Sequence, residues 1–301
     1  MKKVYNLTPS VHNNVWGGNK LREYGKTSDA DRIAESWELS FVPGSEALAD
    51  GKKLSELFDR EAWGENCRDF EFFPTLTKFI DAKDKLSVQV HPSDEYALRH
   101  EGQYGKTEMW YVVEADEGAG IYMGLSRAVS AEEFAERVRL GTVEEVLKFH
   151  KVHSGDVFFI PAGTVHAIGA GVLIYEVQQN STLTYRLYDY MRRDQNGNLR
   201  ELHVERAMLV ADLAKYEAQS TGSGEVIGSC KYFEVRRIEP RGELTLHVGE
   251  DSYLALSAVS GEGVIEGLPI RAGDSYFAPA GVGDIKLNGQ LTLLAVAVPK
   301  H

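Results

Sequence analysis

Gly155-Asp156-Val157-Phe158-Phe159-Ile160-Pro161-Ala162-Gly163 decides how this chain folds. A Gly-Asp turn opens a short aromatic strand, and a Pro-Ala-Gly turn closes it. The same unit returns 118 residues later as Gly273-Asp274-Ser275-Tyr276-Phe277-Ala278-Pro279-Ala280-Gly281. Glycine at both turns fits positions that need positive φ. Recurrence of a whole strand unit predicts two related β-domains. Outside the repeat, alternation of period two marks Leu86–His91, Glu108–Val113, Leu173–Val177, Thr184–Tyr188 and Glu243–Val248 as strands. Helical signals are few. Ser130 with Glu133 and Thr142 with Glu145 form capping-box patterns, and an amphipathic stretch follows His203. Short helices also fit Leu54–Trp63 and Ser93–His100. The expected architecture is all-β, with residues 1–218 as one domain and 222–301 as the second. The small polar run Gln219–Gly224 joins them. Its Gly-Ser-Gly is not a dinucleotide loop, because no apolar strand leads in and no helix follows.

Composition narrows the function. The chain has 301 residues and a formal charge of −12, which disfavours nucleic-acid binding, since phosphate contacts there need clustered Lys and Arg. Glycine, at 29 residues, exceeds the usual level of about 7% and suits many tight turns. Cys67 and Cys230 stand far apart, which argues against a disulfide framework or a cysteine-built metal site and for a reducing compartment. Val4–Trp16 is too polar to be the apolar part of a signal peptide, and apolar runs such as Leu293–Val298 are too short to span a bilayer. A cytoplasmic protein with no membrane contact is expected.

The two repeat copies part company where chemistry would sit. Three residues past Gly163 stands His166; the aligned position after Gly281 is Asp284. The first domain is therefore expected to be active and the second structural. On the Leu86–His91 strand, Ser87, Gln89 and His91 share one face, and Leu86, Val88 and Val90 share the other. Glu108 opens the next convincing strand. Gln89, His91, Glu108 and His166 together supply an amide, two imidazoles and a carboxylate, a metal site with room left for water or substrate. Such a set suits Zn²⁺, with Fe²⁺, Mn²⁺ or Co²⁺ as alternatives. His150 and His153 straddle a helix-to-strand change and read as surface residues. His12, His100, His203, His247 and His301 have no partners visible in sequence.

Several strings carry a narrower likeness. The glycine-bounded strands and the Pro-Ala-Gly-x-x-His segment resemble a cupin, a double-stranded β-helix or jelly-roll barrel. Gln89-Val90-His91-Pro92, Gly105-Lys106-Thr107-Glu108-Met109-Trp110-Tyr111, Ile160–Ile168 and Thr184-Tyr185-Arg186-Leu187-Tyr188-Asp189 resemble class I mannose-6-phosphate isomerases in their compact bacterial form. Trp16-Gly17-Gly18 and Glu35–Ser40 match that family as well. The likeness runs in order from Trp16 to Asp189 and more weakly to the end. It implies two cupin-type barrels, the first catalytic and the second degenerate.

It further implies a zinc ion, one per chain, on Gln89, His91, Glu108 and His166. The implied reaction interconverts mannose 6-phosphate and fructose 6-phosphate by moving a proton between C1 and C2 through a metal-stabilised cis-enediol(ate). Lys106 and Arg186 fall on the family's catalytic and substrate-binding lysine and arginine. Arg186 shares a strand face with Thr184 and Tyr188. The group that takes the carbon-bound proton stays open among Lys106, a water on the metal and a carboxylate such as Glu35. Thr182 stands where many family members carry an acidic residue, which puts in doubt any role for a carboxylate there. No phosphate loop or dense cationic motif is visible, and Trp16, Trp37 and Trp110 read as core before they read as sugar platforms. The oligomeric state is not legible.

Overall fold

The computed structural model describes residues 3–194, 196–217 and 224–300. It is mostly β, built from three antiparallel sheets. The linker Gln219–Gly224 lies outside the described residues except for Gly224, as does His301.

A six-stranded sheet runs in the order Val157–Ile160, Glu108–Ala115, Val172–Gln179, Thr75–Ala82, Glu35–Leu39, Ser10–His12. A five-stranded sheet runs Leu147–Lys151, Gly120–Leu125, His166–Ile168, Val88–Val90, Tyr185–Tyr188. Between them Ile80, Trp110, Val112 and Ile174 from the first sheet meet Ile121, Met123 and Ile168 from the second in one buried cluster. The six-stranded sheet is covered on its other face too. There Phe79, Met109, Tyr111, Leu173, Tyr175 and Val177 pack against Phe233, Val235, Phe277 and Val296 of a ten-stranded sheet and against Tyr253 just before one of its strands. Double coverage explains why Val172–Gln179 is buried throughout and reads as a nearly continuous apolar run.

The outer face of the five-stranded sheet carries Val88, Val90, Ala167 and Leu187 and is capped by helices. Ala131–Leu140 supplies Phe134 and Val138, and Val204–Val210 supplies Ala207. The Ser130 hydroxyl accepts from the Glu133 N–H at 3.2 Å, as its capping box predicts. The Thr142 side chain makes no such bond, and a single 3₁₀ turn, Val143–Val146, follows it. Replacing Ser130 with Ala should cost about 1 kcal/mol, read as a lower urea midpoint with an unchanged slope; no shift would mean the cap is idle.

The repeated unit keeps its turns. Gly155 and Gly163 have φ of 92° and 89°, and Gly273 and Gly281 have 94° and 74°. A Cβ at Gly273 would also lie 2.1 Å from the Tyr24 carbonyl oxygen. The strand neighbours differ, however. Val157–Ile160 pairs only with Glu108–Ala115, whereas Ser275–Ala278 pairs with both Leu254–Ile265 and Tyr5–Thr8. Residues near the start of the chain thus complete the sheet formed near its end. The buried Lys26 strengthens this seam, donating to Gly273 O at 2.5 Å and pairing with Glu38 at 2.7 Å.

Candidate functional site

Strand register assembles the site in two facing rows. Across the five-stranded sheet, Gln89 lies opposite His166 on one side and Arg186 on the other. Because Val88 and Val90 point out to the helices, Gln89 and its neighbours Ser87 and His91 point inward. Across the six-stranded sheet, Glu176 lies opposite Trp110 on one side and Lys78 on the other, and Lys78 lies opposite Trp37. Gln89, Arg186, Glu176, Lys78 and Trp37 of these rows line a cavity of about 210 Å³, whose wall also includes Glu35, Lys106, Thr182 and Arg200.

Behind Gln89 and Lys106 of that wall, which touch them, His91, Glu108 and His166 converge, with ligand atoms all within 4.8 Å of one another and side chains essentially without solvent contact. His91 Nδ1 donates to Leu183 O at 2.7 Å and His166 Nδ1 to Thr164 O at 2.8 Å. A carbonyl can only accept, so both rings carry their proton on Nδ1 and turn the Nε2 lone pair toward the centre. Burial, reinforced by the charge of Lys106, holds the His91 ring well below the usual histidine range, and burial brings His166 down to about 4. Both imidazoles are neutral at pH 7.

His166 Nε2 therefore faces Glu108 Oε1 at 3.3 Å as one acceptor against another, and that oxygen has no hydrogen-bond partner. Two lone-pair donors at such separation repel unless a positive charge lies between or beside them. Lys106 supplies part of that charge: its ammonium donates to Glu108 Oε2 and to His91 Nε2 at 3.2 Å. The donor set, two neutral imidazoles and an orphaned carboxylate oxygen, fits a divalent cation. Gln89 lies at the edge of this group. Its amide nitrogen is 3.3 Å from His166 Nε2 and its oxygen accepts from Ser87 at 3.4 Å. Ligation through that oxygen requires the amide to be turned over.

Two charged residues that the sequence analysis passed over complete the electrostatics. Glu176 accepts from Trp110 Nε1 at 2.7 Å and pairs with Lys78 at 3.2 Å and Lys106 at 3.5 Å. Burial opposes its ionisation, but Lys106 and Lys78 outweigh burial and push its carboxyl below the usual range. Glu108 goes the other way, raised by burial and by the charge of Glu176. Lys78 also reaches Glu35 at 3.3 Å, and burial of its ammonium is more than offset by Glu35 and Glu176. The signal for both residues was present, since a lone charge inside an apolar strand run has to find a partner.

Gln89, His91, Lys106, Glu108 and His166 thus meet at one point, while Arg186 stands one strand away on the same wall. Glu35 holds Trp37 Nε1 at 2.7 Å as well as Lys78, so its carboxylate is engaged twice. Trp110 is fully buried, and Trp16 and Trp37 line the cavity. His247, expected to stand alone, pairs with Asp284 at 2.7 Å on the surface.

Comparisons with known proteins show the family. The model of the phosphomannose isomerase type I catalytic domain matches residues 4–117. The mannose-6-phosphate isomerase ManA of Bacillus subtilis is 38% identical, over 93% of this chain and 94% of its own. The chain belongs to the type I phosphomannose isomerase family. Another member, the mannose-6-phosphate isomerase of Streptococcus mutans, is 37% identical over 96% of each chain. In solved structures, the B. subtilis phosphomannose isomerase superposes with a TM-score of 0.89 at 34% identity, covering 98% of this chain and 99% of that one. A mannose 6-phosphate isomerase structure bound with zinc and yttrium shares the fold, with a TM-score of 0.78 at 18% identity, 99% of this chain and 100% of that one. No helix among the described residues is long and apolar enough to cross a membrane.

Proposed function

We propose that this chain is a metal-dependent aldose–ketose isomerase that interconverts mannose 6-phosphate and fructose 6-phosphate, its relatives' reaction. The observation that carries the reading is the orphaned acceptor Glu108 Oε1, 3.3 Å from His166 Nε2 and beside a buried ammonium, at a cavity wide enough for a small polyol. His91, Glu108 and His166, joined by Gln89 once its amide turns, are the residues to hold the ion. Zinc is favoured because neutral imidazole with carboxylate is its usual company. When bound, a divalent ion supplies positive charge to sugar oxygens on which negative charge develops.

The chain's own groups do the rest. Isomerisation through a cis-enediol(ate) moves one proton between C1 and C2 and a second between their oxygens. Lys106 is our candidate for holding one of these protons, because its Nζ stands beside the ligands inside the dry end of the cavity. Glu176 and Lys78 fix where Lys106 can sit. Arg186 projects a permanent cation from the adjacent strand. Trp37 and Trp16 exclude water from the wall opposite.

The two-barrel division belongs to the same proposal. We assign residues 1–218 to a catalytic cupin barrel, whose facing five- and six-stranded sheets flank the site, and 222–301 to a depleted copy whose sheet borrows Tyr5–Thr8 and Leu48–Ala49 from the first unit. Asp284, aligned with His166, lies exposed with only His247 beside it, which supports a second unit without metal. The two free cysteines fit a cytoplasmic setting.

A coupled assay on mannose 6-phosphate, before and after chelation and with zinc restored, tests the reading. Chelation should remove more than about nine-tenths of the turnover and zinc should restore it. A metal-loaded protein with no turnover would overturn the function, and full turnover without metal would overturn the metal's part in it.

A further inference from the structure

The cavity wall away from the metal ligands holds an uncompensated cationic cluster. Arg186, Arg192 and Arg200 gather around a single buried carboxylate, Asp189. Arg192 donates to Asp189 and to the Lys85 carbonyl. Arg200 pairs with Asp189 at 3.3 Å, and its side chain is 17% exposed. Arg186 has no carboxylate partner: its Nη1 donates to Glu201 O at 2.7 Å, and its Nε is buried without any partner. The Glu201 carboxylate itself turns to solvent, 83% exposed. The three guanidiniums share Asp189 as their one buried carboxylate, and Arg186 and Arg200 face a cavity whose Glu35 carboxylate is already engaged by Lys78 and Trp37.

Burial of these cations is costly unless an anion answers it. A phosphate monoester carries about −1.5 to −2 at pH 7 and offers three acceptor oxygens. Arg186 and Arg200 are the two guanidiniums of the cluster that line the cavity, and Arg200 also lines the outer groove formed by Asn13–Val15, Asp31, Arg32 and Asp194. Arg200 thus stands at the cavity mouth, and our reading seats the phosphate there, at the end of the sugar remote from C1 and C2. Arg192, locked onto Asp189 and a backbone carbonyl, is not among the residues lining that cavity.

We propose that Arg200, clamped by Asp189 at the cavity mouth, is the residue that recognises the substrate's phosphate, with the unpaired Nε of Arg186 completing the cradle. Asp189 acts as a positioning residue that holds Arg200 in place. The inference rests on the sugar-phosphate reading above, but its test does not need turnover. Calorimetric titration with inorganic phosphate and with mannose 6-phosphate should show binding to the unaltered protein. Arg200→Ala should weaken both by about 10- to 100-fold, the size expected for a lost charge-assisted contact. Arg200→Lys should recover part of the loss. In turnover the same loss should fall on KM for mannose 6-phosphate, with kcat at saturation little changed. Equal phosphate affinity in Arg200→Ala would overturn the proposal. So would a loss that falls on kcat with KM unchanged, which marks a role other than phosphate binding. Phosphate binding that depends on Arg200 in a protein that fails to isomerise mannose 6-phosphate would sustain this inference while removing the proposed reaction.

Discussion

Alanine at His166 should strip the bound metal and reduce turnover of mannose 6-phosphate by at least ~10³-fold, the scale on which a metal's charge stabilisation acts. The ring is buried, its Nδ1 is tied to Thr164 O, and its Nε2 completes the trio with His91 and Glu108. Removing it deletes one of two imidazole ligands and opens a gap beside Glu108 that water can fill. The fold should survive. The lost packing is offset in part because the metal-free site no longer sets two acceptors 3.3 Å apart. Metal analysis together with circular dichroism checks the result. A variant that still carries one metal per chain would show that the ligand assignment is wrong. Asp284→Ala, in the aligned position of the second repeat, should change neither metal content nor rate.

Methionine at Lys106 should separate metal binding from proton transfer. We expect kcat to fall by about 10²–10⁴, the range for loss of a positioned acid or base, with metal still bound. Lys106 gives its charge to both Glu108 and Glu176. Without it the metal-free protein buries two carboxylates against Lys78 alone, and breaking a buried pair costs about 3–5 kcal/mol. The variant should therefore melt well below the unaltered chain when chelated and regain most of the difference when zinc is added, because the ion answers the same carboxylate. A kcat within tenfold of the original, in metal-loaded variant, would remove Lys106 from the proton-transfer role.

Much of the site was legible because strand alternation is a local property. Gln89 and His91 point inward for the same reason that Val88 and Val90 point outward. Glu108 was legible as a strand opening and His166 by its offset from a glycine turn. Glu176 and Lys78 were overlooked because each sits in a run whose apolar character follows from burial on both faces, and alternation inside such a run carries little contrast. The cationic cluster escaped for a different reason. Arg186, Arg192 and Arg200 are spread along a strand and the segment after it, and only the packing of that segment over Asp189 makes them one feature. Short helices were readable where a cap specified them, as at Ser130. The strand formed by Tyr5–Thr8 was not anticipated, since nothing local encodes a partner so distant in the chain.

That strand sets a schedule for synthesis. One of its edges meets Leu48–Ala49 soon after it emerges. The other edge waits for Phe277, 272 residues later, an interval of roughly 15 to 50 s at about 5–20 residues per second. During that interval the nascent chain holds an open strand edge, and the six-stranded sheet lacks the cover it later receives from Phe233, Tyr253 and Val296. A ribosome that stalls after residue 217 would leave the proposed metal ligands already made but the apolar back of the six-stranded sheet exposed. Chaperone demand should therefore peak late in translation, when almost every catalytic residue has long been in place.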